Sequence, residues 1–87
     1  MAAHAGTVSH SSSTSGGIQA YVHGSAGYSF YAHLSDYSSA SGSVSAGTVI
    51  GYVGSTGNAG SVNHLHFEWH PGGGAAVNPY QMLLAVC

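Results

Sequence analysis

The segment Asn63-His64-Leu65-His66-Phe67-Glu68-Trp69-His70 holds the densest run of chemically competent side chains in the protein. Read as a β-strand, its residues alternate between two faces. Leu65, Phe67 and Trp69 then point toward a core, while His64, His66, Glu68 and His70 share the other face. Residues two apart on a strand lie roughly 6.5–7 Å apart at Cα. Two imidazoles at that spacing can converge on one atom, or one can hold a metal while the other handles a proton. The plainer alternative is a half-buried strand whose polar face is rich in histidine.

The elements that would position this segment read as short strands. Fourteen glycines and many serines favour strands and tight turns over helices. Gly6 to His10 reads as a turn and a short strand, and Ser11 to Gly17 as a loop. Ile18 to His23 alternates Ile18, Ala20 and Val22 against Gln19, Tyr21 and His23, the pattern of a half-buried strand. Tyr28 to Leu34 completes a hairpin, with Tyr28, Phe30, Ala32 and Leu34 on an apolar face and Ser29, Tyr31 and His33 opposite. Ser35 to Gly42 is polar and loop-like. Thr48 to Val53 is a β-branched run expected as a buried strand. Gly54 to Gly60 reads as a turn; neither a lysine nor a following helix supports a phosphate cradle. Pro71-Gly72-Gly73-Gly74 ends the histidine strand. Asn78-Pro79 starts a short helix through Tyr80, Met82, Leu83 and Val86. These elements make one all-β domain over residues 1–87, a small antiparallel sandwich with strands near 18–23, 28–34, 48–53 and 64–69.

Composition excludes several classes. The chain has 87 residues, 44% of them hydrophobic, enough for one modest core. It contains no Lys or Arg, and Asp36 and Glu68 are its only acidic residues. The lack of cationic side chains other than protonated histidine argues against nucleic acid and anionic membrane surfaces as partners. The absence of lysine also excludes a lipoyl- or biotinyl-carrier domain, whose sandwich of short strands would look similar. Cys87 is a single cysteine, so no internal disulfide forms. Met1 to Gly6 lacks the charged start and apolar run of a signal peptide. No apolar stretch is long enough to span a membrane.

The order of the pieces resembles a known family. Gly6-Thr7-Val8, Tyr31-Ala32-His33-Leu34, Val44-Ser45-Ala46-Gly47, Ile50-Gly51-Tyr52-Val53-Gly54-Ser55-Thr56-Gly57, His64-Leu65-His66-Phe67-Glu68 and Val77-Asn78-Pro79 together resemble the lysostaphin/LytM-type zinc endopeptidases. Those enzymes cut peptide cross-links in bacterial peptidoglycan. The resemblance implies a barrel-sandwich-like core and a protein that is secreted, periplasmic or associated with the cell wall. It also implies roles for individual residues. His66 matches the zinc ligand, His64 a histidine that assists the catalytic water or the transition state, and His33 the histidine that stabilises the oxyanion or moves a proton. Tyr31, placed on the face of His33, would line the same groove. Zinc hydrolysis of an amide needs three protein ligands and an open position for water, whose pKa falls to about 7.

One departure stands out. The family's other two zinc ligands come from a His-x-x-x-Asp motif upstream of the strand matched by Gly6-Thr7-Val8, and no histidine here is followed by Asp four residues later. His33-Leu34-Ser35-Asp36 has the wrong spacing. The chain therefore reads as the family core without its first metal-binding segment. His4, His10, His23 and His70 are the other histidines available. Two readings follow: a zinc endopeptidase domain acting on peptidoglycan cross-links with an incomplete metal site, or a non-catalytic cell-wall-binding or regulatory module of the same fold.

Overall fold

The alternation of Ile18 to His23 is realised as a strand in the computed structural model, which describes residues 1–79. Six strands form: β1 (Gly6–Ser13), β2 (Gly17–His23), β3 (Gly27–Tyr37), β4 (Gly42–Val44), β5 (Gly51–Val53) and β6 (His66–Pro71). A 3-10 turn spans Gly57–Ala59. Every pairing is antiparallel, in the order β4-β1-β2-β3-β5, with β6 also paired to β3. The all-β antiparallel class expected from the sequence is the one observed. The helix expected after Pro79 lies outside the described residues.

Strand β3 organises the sheet because its far edge is shared. Gly27 to Ala32 pair with Pro71 to His66 of β6, and Leu34 to Tyr37 pair with Val53 to Gly51 of β5. His33 falls at the joint between the two partners.

The core lies on one face of this sheet. Ala20 and Val22 are fully buried there, with Val8, Tyr31, Leu34, Ile50 and Ala2 around them. Ala2 is tied into this layer by Ala2 N–H to Thr48 C=O and Gly47 N–H to Ala2 C=O, both 2.8 Å. Opposed residues of paired strands share a face. Ala20 sits opposite Tyr31 and Val22 opposite Ser29, so the small Ala20 leaves room for the Tyr31 ring. Ser29 is buried without penalty because its hydroxyl bonds both the Tyr31 hydroxyl and His4 Nε2, each at 2.9 Å.

This register corrects several expectations. Ser29 and Tyr31 face the core, while Tyr28 and Phe30 lie on the opposite face beside Tyr21, with ring centroids 5.8 and 4.9 Å from it. Only Gly51 to Val53 of the Thr48–Val53 run form a strand. Ile50 is buried, whereas Val49, Tyr52 and Val53 are exposed, because β5 is a short edge strand. Ser11 to Ser13 belong to β1 instead of a loop, paired with Gln19 to Gly17 of β2. The Tyr37 hydroxyl bonds the Ser11 carbonyl, and the Tyr37 ring stacks on His10, which helps hold this serine-rich stretch.

Candidate active site

The site is built on an irregularity in β3. Between the pairs Ala20–Tyr31 and Ile18–Leu34, β3 advances three residues while β2 advances two. This is a β-bulge, and it re-aims a side chain beside a sheet joint. His33 takes a left-handed backbone conformation, φ 62°, the only non-glycine residue to do so among the described residues. That conformation costs a side-chain-bearing residue about 1–2 kcal/mol. The bulge carries His33 onto the face of Phe30 and Ala32, away from Tyr31.

Two loops receive His33. The turn between β1 and β2 offers the Gly16 carbonyl to His33 N–H at 2.8 Å. The loop before the 3-10 turn offers the Thr56 carbonyl to His33 Nδ1 at 2.7 Å. A carbonyl can only accept, so in the neutral ring Nδ1 carries the proton and Nε2 presents a lone pair. His33 is 6% exposed, so this ring is held in place.

His64 and His66 approach from the segment entering β6. His64 is anchored by a bridge to Gly54, with His64 N–H to Gly54 C=O at 3.0 Å, and precedes the strand. Its Nδ1 lies 3.0 Å from the Val62 carbonyl, so the same reasoning leaves its Nε2 free to accept. His66 Nε2 bonds Glu68 Oε2 at 2.7 Å, which leaves Nδ1 as the free nitrogen of the neutral ring. The His33 ring centroid is 5.0 Å from that of His64 and 5.9 Å from that of His66. His64 and His66 thus each bring an imidazole beside His33, and each of the three rings is pinned by one oxygen acceptor and retains one free nitrogen. Such groups can take up a proton, release it, or donate to developing negative charge.

Glu68 joins this set with more definition than its place in the strand suggested. Its second oxygen, Oε1, bonds His70 Nε2 at 2.8 Å, so one carboxylate spans both neighbours on its face. The Glu68 carboxyl is held below its ordinary range, first by the His66 hydrogen bond, with burial opposing and the His70 hydrogen bond adding. A cavity of about 410 Å³ opens on this face, lined by Gln19, Phe30, His33, Asn58, His66 and Glu68 among others.

Two sequence expectations for side chains near the site need correction. Tyr31 does not share the face of His33. It is 3% exposed in the core, and its hydroxyl accepts from Ala3 N–H at 2.9 Å, so it cannot line the groove. Leu65 is exposed instead of joining Phe67 against the core, because regular pairing starts only at His66. The bridging role of Glu68 is one the sequence reading missed, although the alternation His66-Phe67-Glu68-Trp69-His70, which sets Glu68 between two imidazoles on one face, is the signal that could have found it. Nothing in residue type marked Thr56.

A catalytic zinc needs three protein ligands. Among the described residues no three His, Cys, Asp or Glu side chains gather to hold a metal. His66 Nδ1 is a suitable donor whose other nitrogen is oriented by a carboxylate, a common arrangement at metal-binding histidines. The described residues do not by themselves fit the ion.

The model of Peptidase family M23 matches residues 1–79. The DD-carboxypeptidase/endopeptidase Mpg of Neisseria meningitidis serogroup B is 50% identical over 54 residues, which are 62% of this chain and 12% of that protein. The chain thus spans about an eighth of the length of the curated relatives it matches. The catalytic domain of the antimicrobial peptidase lysostaphin from Staphylococcus simulans superposes with a TM-score of 0.84 at 31% identity, covering 95% of this chain and 68% of that one. The catalytic domain of a mutant of the prophage-encoded protein EnpA from Enterococcus faecalis gives 0.77 at 32% identity, covering 91% of this chain and 65% of that one.

Proposed function

The chain belongs to peptidase family M23, and on that premise we propose that it is a hydrolase of peptide cross-links in peptidoglycan, with His33 and His64 handling protons and His66 as a metal ligand. The supporting observation is that His33 of β3 lies beside His64 and His66 of the segment entering β6, with their ring centroids 5.0 and 5.9 Å from its own. In this reading residues 1–87 form one peptidase-type domain that works at the cell wall. Among the described residues no helix is long and apolar enough to cross a membrane.

Amide hydrolysis requires that a water lose a proton and that the leaving amine gain one. His33 and His64 each direct a lone pair on Nε2, and each is fixed in that form by a backbone carbonyl on Nδ1. Either can accept the proton of the attacking water. The protonated ring can then donate to the oxyanion or to the departing amine. Glu68 holds His66 in the form whose Nδ1 is free. Zinc is the metal the family resemblance implies, and in this proposal its site is incomplete within the described residues.

The test is release of free amine from purified peptidoglycan by the full chain in excess zinc. Cleavage that His33→Ala and His64→Ala each lower by roughly 10²–10⁴-fold, the usual range for a lost acid or base, supports the reading. Peptidoglycan binding without cleavage replaces it with the non-catalytic cell-wall-binding alternative.

A further inference from the structure

The bulge that re-aims His33 disturbs the ladder between β2 and β3, and one side chain from outside both strands is inserted there. The Thr56 hydroxyl accepts from Ile18 N–H at 3.0 Å and donates to the Leu34 carbonyl at 2.6 Å. Ile18 and Leu34 are the first register pair beyond the bulge. A single hydroxyl therefore bonds both strands at the position where their spacing changes. The main chain of Thr56 makes the third contact, through the carbonyl that accepts from His33 Nδ1 at 2.7 Å. Gly57, the next residue, lies against the β1–β2 turn, and Asn58 N–H bonds the Ser15 carbonyl at 2.8 Å.

We propose that Thr56 is a positioning residue for the reaction: its hydroxyl locks the Thr56 main chain to β2 and β3, and its carbonyl thereby fixes His33 with the proton on Nδ1 and the lone pair on Nε2. The proposal rests on the reading of His33 as a proton-handling residue. The chemistry is specific. A histidine that must accept a proton at Nε2 is useless in the opposite tautomer, and the tautomer is set by whatever bonds the other nitrogen. The Thr56 carbonyl performs this role only if its distance from a buried, strained residue is held. The two bonds made by its hydroxyl tie the Thr56 main chain directly to β2 and β3, the strands on either side of the bulge that carries His33. His64 and His66 are the titratable groups whose rings face His33, and neither is bonded to its Nδ1.

The experiment is long-range ¹H–¹⁵N NMR of the histidine rings in the full chain. In the wild type the His33 Nδ1 should be the protonated nitrogen and Nε2 the bare one; the reverse assignment overturns the proposal. Thr56→Val removes the hydroxyl at nearly constant shape and should turn this single form into a mixture, with the Nδ1–H form falling to roughly half or less. Thr56→Ser keeps the hydroxyl and should keep the wild-type spectrum. An unchanged spectrum in Thr56→Val, or a mixture in Thr56→Ser, contradicts the assignment. Should Thr56→Val not fold, Thr56→Ala carries the same comparison, and the wild-type tautomer remains decisive. The spectrum does not depend on turnover, so failure of the hydrolase reading, seen as undiminished cleavage by His33→Ala, is told apart from failure of this one.

Discussion

Gly17 and Gly57 face each other so closely that a Cβ on Gly17 would lie 2.5 Å from Gly57 N, and one on Gly57 would lie 2.4 Å from Gly17 N. Both residues also have left-handed backbones, with φ of 68° and 70°. The contact clamps the β1–β2 turn against the loop that carries Thr56, and His33 is bonded to both loops. A site that draws on three segments thus depends on a place where no side chain fits.

Gly57→Ala should therefore destabilise the protein by about 2–4 kcal/mol, combining a disfavoured backbone with a forced separation of the loops. For a domain of this size each kcal/mol lowers the melting temperature by roughly 4–8 °C. Thermal unfolding checks this, and Gly60→Ala is the control. Gly60 also has a positive φ, 75°, but open space around its Cβ position, so it should show the backbone strain alone.

His33 offers a second comparison. Because its φ of 62° penalises any side chain, His33→Gly should be more stable than His33→Ala by about 1 kcal/mol. Both should lose the proposed hydrolysis equally. Denaturant unfolding of the two variants gives the difference, and an alanine variant as stable as the glycine variant would place the strain elsewhere.

Tyr31→Phe separates a core role from a substrate role. The Tyr31 hydroxyl accepts from Ala3 N–H and bonds the Ser29 hydroxyl, so its loss should cost about 1–3 kcal/mol in stability through the buried partners left unpaired. On the proposed function, affinity for peptidoglycan should not change. A weakened affinity at unchanged stability would return Tyr31 to the groove.

Glu68 gives a pH dependence whose sign is fixed. Its pKa in the folded protein lies below the ordinary 4.5, so the unfolded chain binds the proton more readily. Its contribution to stability is present above the unfolded value and is lost as the pH falls through the lower folded one. The stability gap between wild type and Glu68→Gln should accordingly narrow as the pH falls below the ordinary 4.5. Melting curves across that range measure it, and a gap that widens toward acid would contradict the assignment.

Much of the sheet was legible in the sequence, and the rest depends on cross-strand packing and backbone geometry that residue type does not record. The Ile18-Ala20-Val22 face, the β2–β3 hairpin and the joining of His33 with His64 and His66 follow from alternation and from motif order. Alternation counted from Tyr28, however, put Tyr31 with His33 and Phe30 with the core. Both parities of that strand carry aromatic residues, so periodicity alone could not choose between them; the choice lies with Ala20 and Val22 across the ladder. The bulge then changes face at His33, a shift written in a backbone angle at a histidine and not in any residue type. Leu65 was misplaced for a similar reason, since pairing to β3 begins one residue after it. Thr56 acts through one hydroxyl and one carbonyl, and a Ser-Thr-Gly turn gives no outward sign of that.

The most direct test of the shared histidine site is a zinc titration followed by ring ¹⁵N shifts of the seven histidines. If His66 is the metal ligand and lies beside His33 and His64, its Nδ1 should move first, the rings of His33 and His64 should follow, and His10 and His23 should stay unchanged. Binding should be weak, because the described residues gather no three-ligand set, and His66→Ala should remove it. A first response at His23 or His10, with His66 unmoved, would contradict the placement of the metal and with it the proposed hydrolytic centre.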